Sequence, residues 1–259
     1  MTTISEKDNN FDTELREAAH NLFLSSRIDE LCRNEATPEQ AEFLLYALKE
    51  ELKAREQTRR QRMLKKANFP VVKGFSGYNY AHITLPSTLN RDNLEDCGFI
   101  KDRQNLIMYG PAGTGKTHLA IALGVKACSL GWRVKFETTA NLAQKLTDAK
   151  HQGTFEQLMK ELQKVDLLIL DEWGYIPIGC EASELIYSVI NDCYERRSII
   201  LTTTLEFSKW GYIFSGERLA TAMLDRLVHH GQMITFTGHS YRMEHSLMRQ
   251  NTYAAASRS

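Results

Sequence analysis

The chain has 259 residues, 42% of them hydrophobic, with Lys+Arg and Asp+Glu balanced at 32 each. That size holds one α/β domain plus a small accessory region with a proper core, and the balance of charge means that any basic surface must come from segregation along the chain. The cysteines Cys32, Cys97, Cys128, Cys180 and Cys193 are odd in number and lack a C-x-x-C pair, against a disulfide framework or a zinc site; no apolar run approaches the roughly 18 residues of a membrane span, and the polar start lacks a signal-peptide core, so a soluble protein of the reducing cytoplasm, with no membrane partner, is the expectation.

Residues 1 to about 10 are polar and read as disordered. From Asp12 onward, Leu15, Ala18, Ala19, Leu22 and Phe23 recur with helical spacing, and Ile28 with Leu31 predicts a second short helix. Thr37-Pro38-Glu39-Gln40 has the form of a helix start, with Thr37 as N-cap, Pro38 in the first turn and Gln40 at the capping-box position. Ala41, Leu44, Leu45, Leu48 and Leu52 then form one apolar stripe, which gives way to Arg55, Arg59, Arg60, Arg62, Lys65 and Lys66. Met1 to Leu48 carries four basic and ten acidic residues, whereas Lys49 to Lys66 carries eight basic and three acidic. Two uses of those cations are open. They form a solvated face laced by the i,i+4 pairs Glu51–Arg55 and Glu56–Arg60, or, since most remain unpaired within the helix, they contact the phosphate backbone of a nucleic acid.

Phe69-Pro70 stops this helix, so the spacing predicts a helical N-terminal domain over 1–68 for DNA or a partner, followed by an α/β domain over 69–259. That second part opens on a linker, 69–104, and ends on a tail, 251–259, expected to be disordered. Phe75, Tyr78, Tyr80 and Phe99 in the linker could stack on adenine or pack against the sheet. Strands are predicted at 106–109, 132–137, 165–170, 198–203 and 233–237, and helices at 141–150, 155–163, 181–197 and 218–230. The alternation implies a parallel sheet flanked by helices with right-handed crossovers, and ligands in such sheets sit beyond the carboxyl ends of the strands.

The chemistry concentrates at those ends. Gly110-Pro111-Ala112-Gly113-Thr114-Gly115-Lys116-Thr117 fits G-x-x-x-x-G-K-[ST] at every fixed position, directly after an apolar strand and before the helical pattern of Leu119, Ala120, Leu123 and Ala127. A glycine-rich turn that opens a helix aims successive backbone N–H groups and the positive helix end at one point, where the oxygens of a nucleoside triphosphate sit, with His118 next in line. Lys116 reaches the β and γ phosphates, and Thr117 offers a hydroxyl for Mg²⁺. Leu167-Leu168-Ile169-Leu170-Asp171-Glu172 ends a strand in two carboxylates; Asp171 can orient Mg²⁺ and its water shell, and Glu172 can polarise a water for in-line attack. Arg226 and Arg242 lie after the fourth and fifth strands, where each could reach a phosphate from the same chain or across a subunit edge.

Taken together, Gly110 to Thr117, Leu170-Asp171-Glu172-Trp173-Gly174-Tyr175-Ile176-Pro177, Phe207-Ser208-Lys209-Trp210-Gly211, Leu224-Asp225-Arg226-Leu227 and Ser240-Tyr241-Arg242 resemble the IstB family of insertion-sequence helper ATPases. That family is similar in turn to helicase loaders of the DnaC type within the AAA+ superfamily. The resemblance covers about residues 37 to 250. It implies a P-loop AAA+ domain, with Lys116 and Thr117 as Walker A residues, Asp171 and Glu172 as the Walker B pair, Arg226 as an arginine finger given to a neighbouring subunit, and Arg242 as the sensor-II arginine. It further implies an ATPase using ATP and Mg²⁺, assembled into a homo-oligomer on duplex DNA without sequence preference, and serving a cognate transposase. One position departs from the family's pattern: Thr202-Thr203-Thr204 stands where Thr-Ser-Asn is usual, so Thr204 would replace the sensor-I amide with a shorter hydroxyl, and slow hydrolysis would follow. A replicative helicase loader and a slowly hydrolysing, ATP-gated DNA scaffold are the alternatives.

Overall fold

The computed structural model describes the backbone of residues 4–244, with the side chains of 10–243; the tail 251–259 lies outside the described residues. The chain divides into two compact units, Met1–Arg62 and Met63–Ser259.

The first unit is helical. Helix α1 (Ile4–Asn21) begins well before Asp12, so the expected disorder over the first ten residues does not hold from Ile4 onward. Its stripe of Leu15, Ala18, Ala19 and Leu22 is buried with Leu45 and Leu48 of α3 (Pro38–Ala67), and Cys32 of α2 (Arg27–Glu35) packs at the margin. The capping box at the start of α3 is reciprocal: the Thr37 N–H donates to Gln40 Oε1 (2.9 Å), and the Gln40 N–H donates to Thr37 Oγ1 (3.3 Å). Lys49 pairs with Glu14 at 2.5 Å, and Asp29 receives both Arg16 and Arg33 at 2.8 Å. Helix α3 ends at Ala67, just before Phe69-Pro70.

The second unit is an α/β sandwich. Its sheet combines β1 (Ile83–Thr84), β2 (Asn105–Tyr109), β3 (Val134–Thr138), β4 (Leu167–Trp173), β5 (Ser198–Thr203) and β6 (Gly231–Phe236) in the order β1-β6-β2-β5-β4-β3. Strands β2 to β6 are parallel, and β1 is an antiparallel edge pairing Ile83 with Phe236. Both faces are covered, and the period-2 alternation of strand side chains shows it. Ile107, Leu168, Leu170, Ile199 and Leu201 pack with α7 (Thr139–His151), α8 (Phe155–Leu162), α9 (Cys180–Cys193), α10 (Trp210–Ile213) and α11 (Glu217–His229). Their neighbours Leu106, Met108, Leu167, Ile169 and Ile200 face a second core with α4 (Arg91–Glu95), α5 (Gly98–Lys101) and α6 (Lys116–Ser129).

Two expectations need correction. The segment 69–104, expected as a linker, is part of the α/β unit: it supplies β1, α4 and α5, and buries Leu89, Leu94, Phe99 and Ile100 in the second core. Strand β4 continues past Leu170 to Trp173, so Asp171 and Glu172 lie within it. The ladder with β5 shifts register between Leu170 and Trp173, a bulge at the two acids.

Candidate functional site

The turn between β2 and α6 is held by its own atoms. Gly113 has φ +81°, and a Cβ there would lie 2.1 Å from Ser240 Oγ, so only glycine permits both the backbone and its neighbour. Thr114 Oγ1 donates to Pro111 O (2.8 Å). Lys116 is buried, and its ammonium donates to the carbonyls of Gly110 and Pro111 at 2.6 Å each. Burial lowers its pKa from the ordinary 10.5 to about 8; Asp171 opposes the shift, and the guanidinium of Arg242 adds to it. Lys116, Asp171 and Arg242 thus share one electrostatic environment.

The bulge in β4 separates the fates of the adjacent acids. Asp171 is buried, while Glu172 is exposed with φ +59°, in the left-handed region. Thr117 Oγ1 donates to Asp171 Oδ1 at 2.8 Å, linking the glycine-rich loop to β4. A second hydroxyl reaches the same oxygen: Thr202 Oγ1 of β5 donates to Asp171 Oδ1. That Thr202 oxygen also accepts the Glu172 N–H at 3.1 Å, so one buried side chain fixes the carboxylate of one acid and the backbone of the other. Thr139 Oγ1 adds a bond to the Asp171 carbonyl (3.1 Å).

Thr202 was not singled out from the sequence; Thr204 was. Thr204 lies beyond the end of β5, is exposed, and its hydroxyl has no hydrogen-bond partner among the described residues. Arg242 is on α12 (Tyr241–Glu244), which reaches the loop through the Tyr241 N–H to Gly113 O bond of 3.0 Å. Arg226 is held elsewhere. Its Nε donates to Asn191 Oδ1 of α9 (3.0 Å), its Nη1 to Ala222 O (3.0 Å), and its guanidinium lies 5.1 Å from the Tyr187 ring centroid.

The aromatic residues before the loop pack against the sheet core: Phe99 is buried, and Phe75, Tyr78 and Tyr80 are partly so. Tyr78 touches the loop as well, its hydroxyl donating to Gly115 O (3.1 Å) and its ring meeting His118 edge-on at 4.9 Å. His118 Nε2 lies 3.0 Å from Gly74 O. On α3, Arg55 pairs with Glu51 (2.8 Å) and its Nη1 reaches Leu22 O, but the expected Glu56–Arg60 pair does not form. Arg59, Arg60, Arg62, Lys65 and Lys66 are exposed and make no ion pair among the described residues.

The family model described as IstB-like ATP binding protein matches residues 26–249. The chain belongs to this family. It is 38% identical over 226 residues to the ATP-binding protein of insertion sequence IS21 from Pseudomonas aeruginosa, covering 85% of this chain and 84% of that one. It is 34% identical over 204 residues to the corresponding protein of insertion sequence IS232 from Bacillus thuringiensis subsp. berliner, covering 78% and 80%. Among solved structures, DnaI aligns with a TM-score of 0.51 at 16% identity, over 66% of this chain and 90% of that one, a likeness of fold alone. With its parallel strands and flanking helices, the IstB-family chain has a P-loop α/β fold and binds ATP.

Proposed function

We propose that this IstB-family chain is an AAA+ ATPase that assembles with ATP on duplex DNA and assists a transposase in target selection and insertion. The observation that carries the reading is the contact of Thr117 with Asp171, beside buried Lys116 and exposed Glu172. A hydroxyl and a carboxylate in direct contact are hard oxygen donors suited to Mg²⁺, which when bound neutralises developing phosphate charge. Lys116 exchanges its two loop carbonyls for phosphate oxygens, and the Glu172 carboxylate takes a proton from the attacking water. Arg242 supports the γ phosphate from the same chain. Arg226, whose partners in its own chain are on α9 and α11, serves the ATP of a neighbouring subunit, which makes the nucleotide part of a homo-oligomeric interface.

The insertion-sequence names of the relatives support the transposition context. The exposed cations Arg59, Arg60, Arg62, Lys65 and Lys66, together with Arg55, grip duplex phosphates without reading bases. A gel shift on unrelated duplexes tests this. ATP should strengthen binding, rising salt should weaken it, and each cation replaced by alanine should reduce the magnitude of the salt slope by about 1. Binding that ignores ATP or salt contradicts the proposal, and a preference for single strands with helicase capture favours a loader instead.

The exposed, unpartnered hydroxyl of Thr204 favours a second reading, in which ATP gates a DNA scaffold that turns over little. Comparing hydrolysis by the wild type and Glu172→Gln decides it. A wild-type rate no higher than that of the variant, even with DNA and transposase present, supports the scaffold.

A further inference from the structure

At the opposite end of the sheet from the phosphate loop, two turns bring together groups that ATP chemistry does not use. One turn joins α9 to β5 and carries Tyr194 and Glu195; the other joins α11, whose last residue is His229, to β6 and carries His230. Potential ligand atoms of Glu195, His229 and His230 all lie within 4.8 Å of one another.

The turns are anchored from beneath by buried Asn105, the first residue of β2, which lies between β5 and β6. Its side-chain amide donates to Leu227 O (3.1 Å), its side-chain oxygen accepts the Ile199 N–H (2.9 Å), and its backbone N–H donates to His230 O (2.8 Å). Arg103 Nη1 holds the Glu195 carbonyl at 3.1 Å, and Glu195 itself has φ +58°. The Tyr194 hydroxyl lies 2.8 Å from His229 Nδ1, and His230 Nε2 lies 3.3 Å from Glu195 Oε1. The three side chains are therefore presented by a fixed backbone, with a phenol orienting one imidazole as outer partners do at metal centres.

We propose that Glu195, His229 and His230 form a binding site for a divalent transition ion of the Zn²⁺ class, separate from the Mg²⁺ that accompanies ATP. Two imidazoles and one carboxylate suit Zn²⁺, Co²⁺ or Ni²⁺ and disfavour Mg²⁺, which prefers oxygen ligands and keeps its waters. Small side-chain rotations bring the three atoms to bonding distance, leaving a remaining position for water. The ion ties the end of α9 to the end of α11, the helix that carries Arg226.

The test is Zn²⁺ titration calorimetry on the full chain with Mg²⁺ in excess, with Co²⁺ absorption as the ligand-field probe. One equivalent should bind. His229→Ala and Glu195→Gln should each weaken binding by about tenfold or more, while Cys180→Ser, which removes an exposed thiol elsewhere, should leave it unchanged. ATP affinity equal to wild type reports that each variant is folded. Absence of Zn²⁺ binding in the wild type, or equal affinity in folded His229→Ala and Glu195→Gln, overturns the proposal.

Discussion

Thr202 is the residue on which both acids of the site depend, because its one hydroxyl donates to Asp171 and accepts from the Glu172 N–H. Replacing it with valine keeps the volume and removes both bonds. A hydrogen bond to a charged group contributes about 1.5–3 kcal/mol, so Thr202→Val should lower kcat for ATP hydrolysis by roughly tenfold or more and raise the Mg²⁺ concentration needed for half-maximal rate. Thr202→Ser, which restores the hydroxyl, should recover most of both. Equal Mg²⁺ dependence in the valine and serine variants would assign Thr202 a purely structural role.

Lys116 sets a pH dependence at the same scale. Its pKa in the free chain is about 8, held down chiefly by burial. Phosphate oxygens favour the charged form, so ATP binding raises that pKa. Lys116 is then charged in both states below about pH 8, and affinity there is full; as pH rises through 8, binding must recapture a proton and weakens by up to about tenfold per unit. Fluorescent-nucleotide titrations from pH 7 to about 9.5 check this, and affinity that is flat across that range would contradict it.

At the scale of elements, Asn105 joins three of them, since its carboxamide satisfies Leu227 O at the end of α11 and the Ile199 N–H in β5. Asn105→Ala leaves both groups unpaired in a buried place and should cost about 2–4 kcal/mol in urea denaturation. A loss below about 0.5 kcal/mol would mean that water replaces the amide. The long elements were legible because their apolar residues repeat over enough turns or strand positions, as in the stripe Leu119, Ala120, Leu123 and Ala127 of α6. The short ones were not. Strand β1 has two residues, α4 five, and α5 and α10 four each, too few for a period to emerge. Asp171 and Glu172 read as a strand end because carboxylates seldom lie inside sheets; the pairing of Thr138 with Asp171 and of Thr203 with Trp173 carries the ladder past them. The role of Thr202 had no local motif at all, because its partner is on the adjacent strand. A threonine near the carboxyl end of the strand beside Asp171 was the one available signal.

For the whole molecule, charge and topology divide the tasks. The acids of the first 48 residues are followed by the cationic stretch of α3, and the P-loop unit comes after it. Within that unit Arg242 shares the electrostatic environment of Lys116, whereas Arg226 is held on Asn191 of α9. If, as proposed, the phosphate site is completed by Arg226 of the next subunit, ATP is a control on assembly. Its most direct test is to mix Arg226→Ala subunits, which keep their own Walker residues, with Glu172→Gln subunits, which keep the finger, and to measure ATP hydrolysis on duplex DNA. Each variant alone should be inactive, and an equal mixture should recover about a quarter of the wild-type rate, from interfaces that pair an intact Glu172 with a neighbour's Arg226. A mixture no more active than the mean of the two variants would contradict a site shared between subunits.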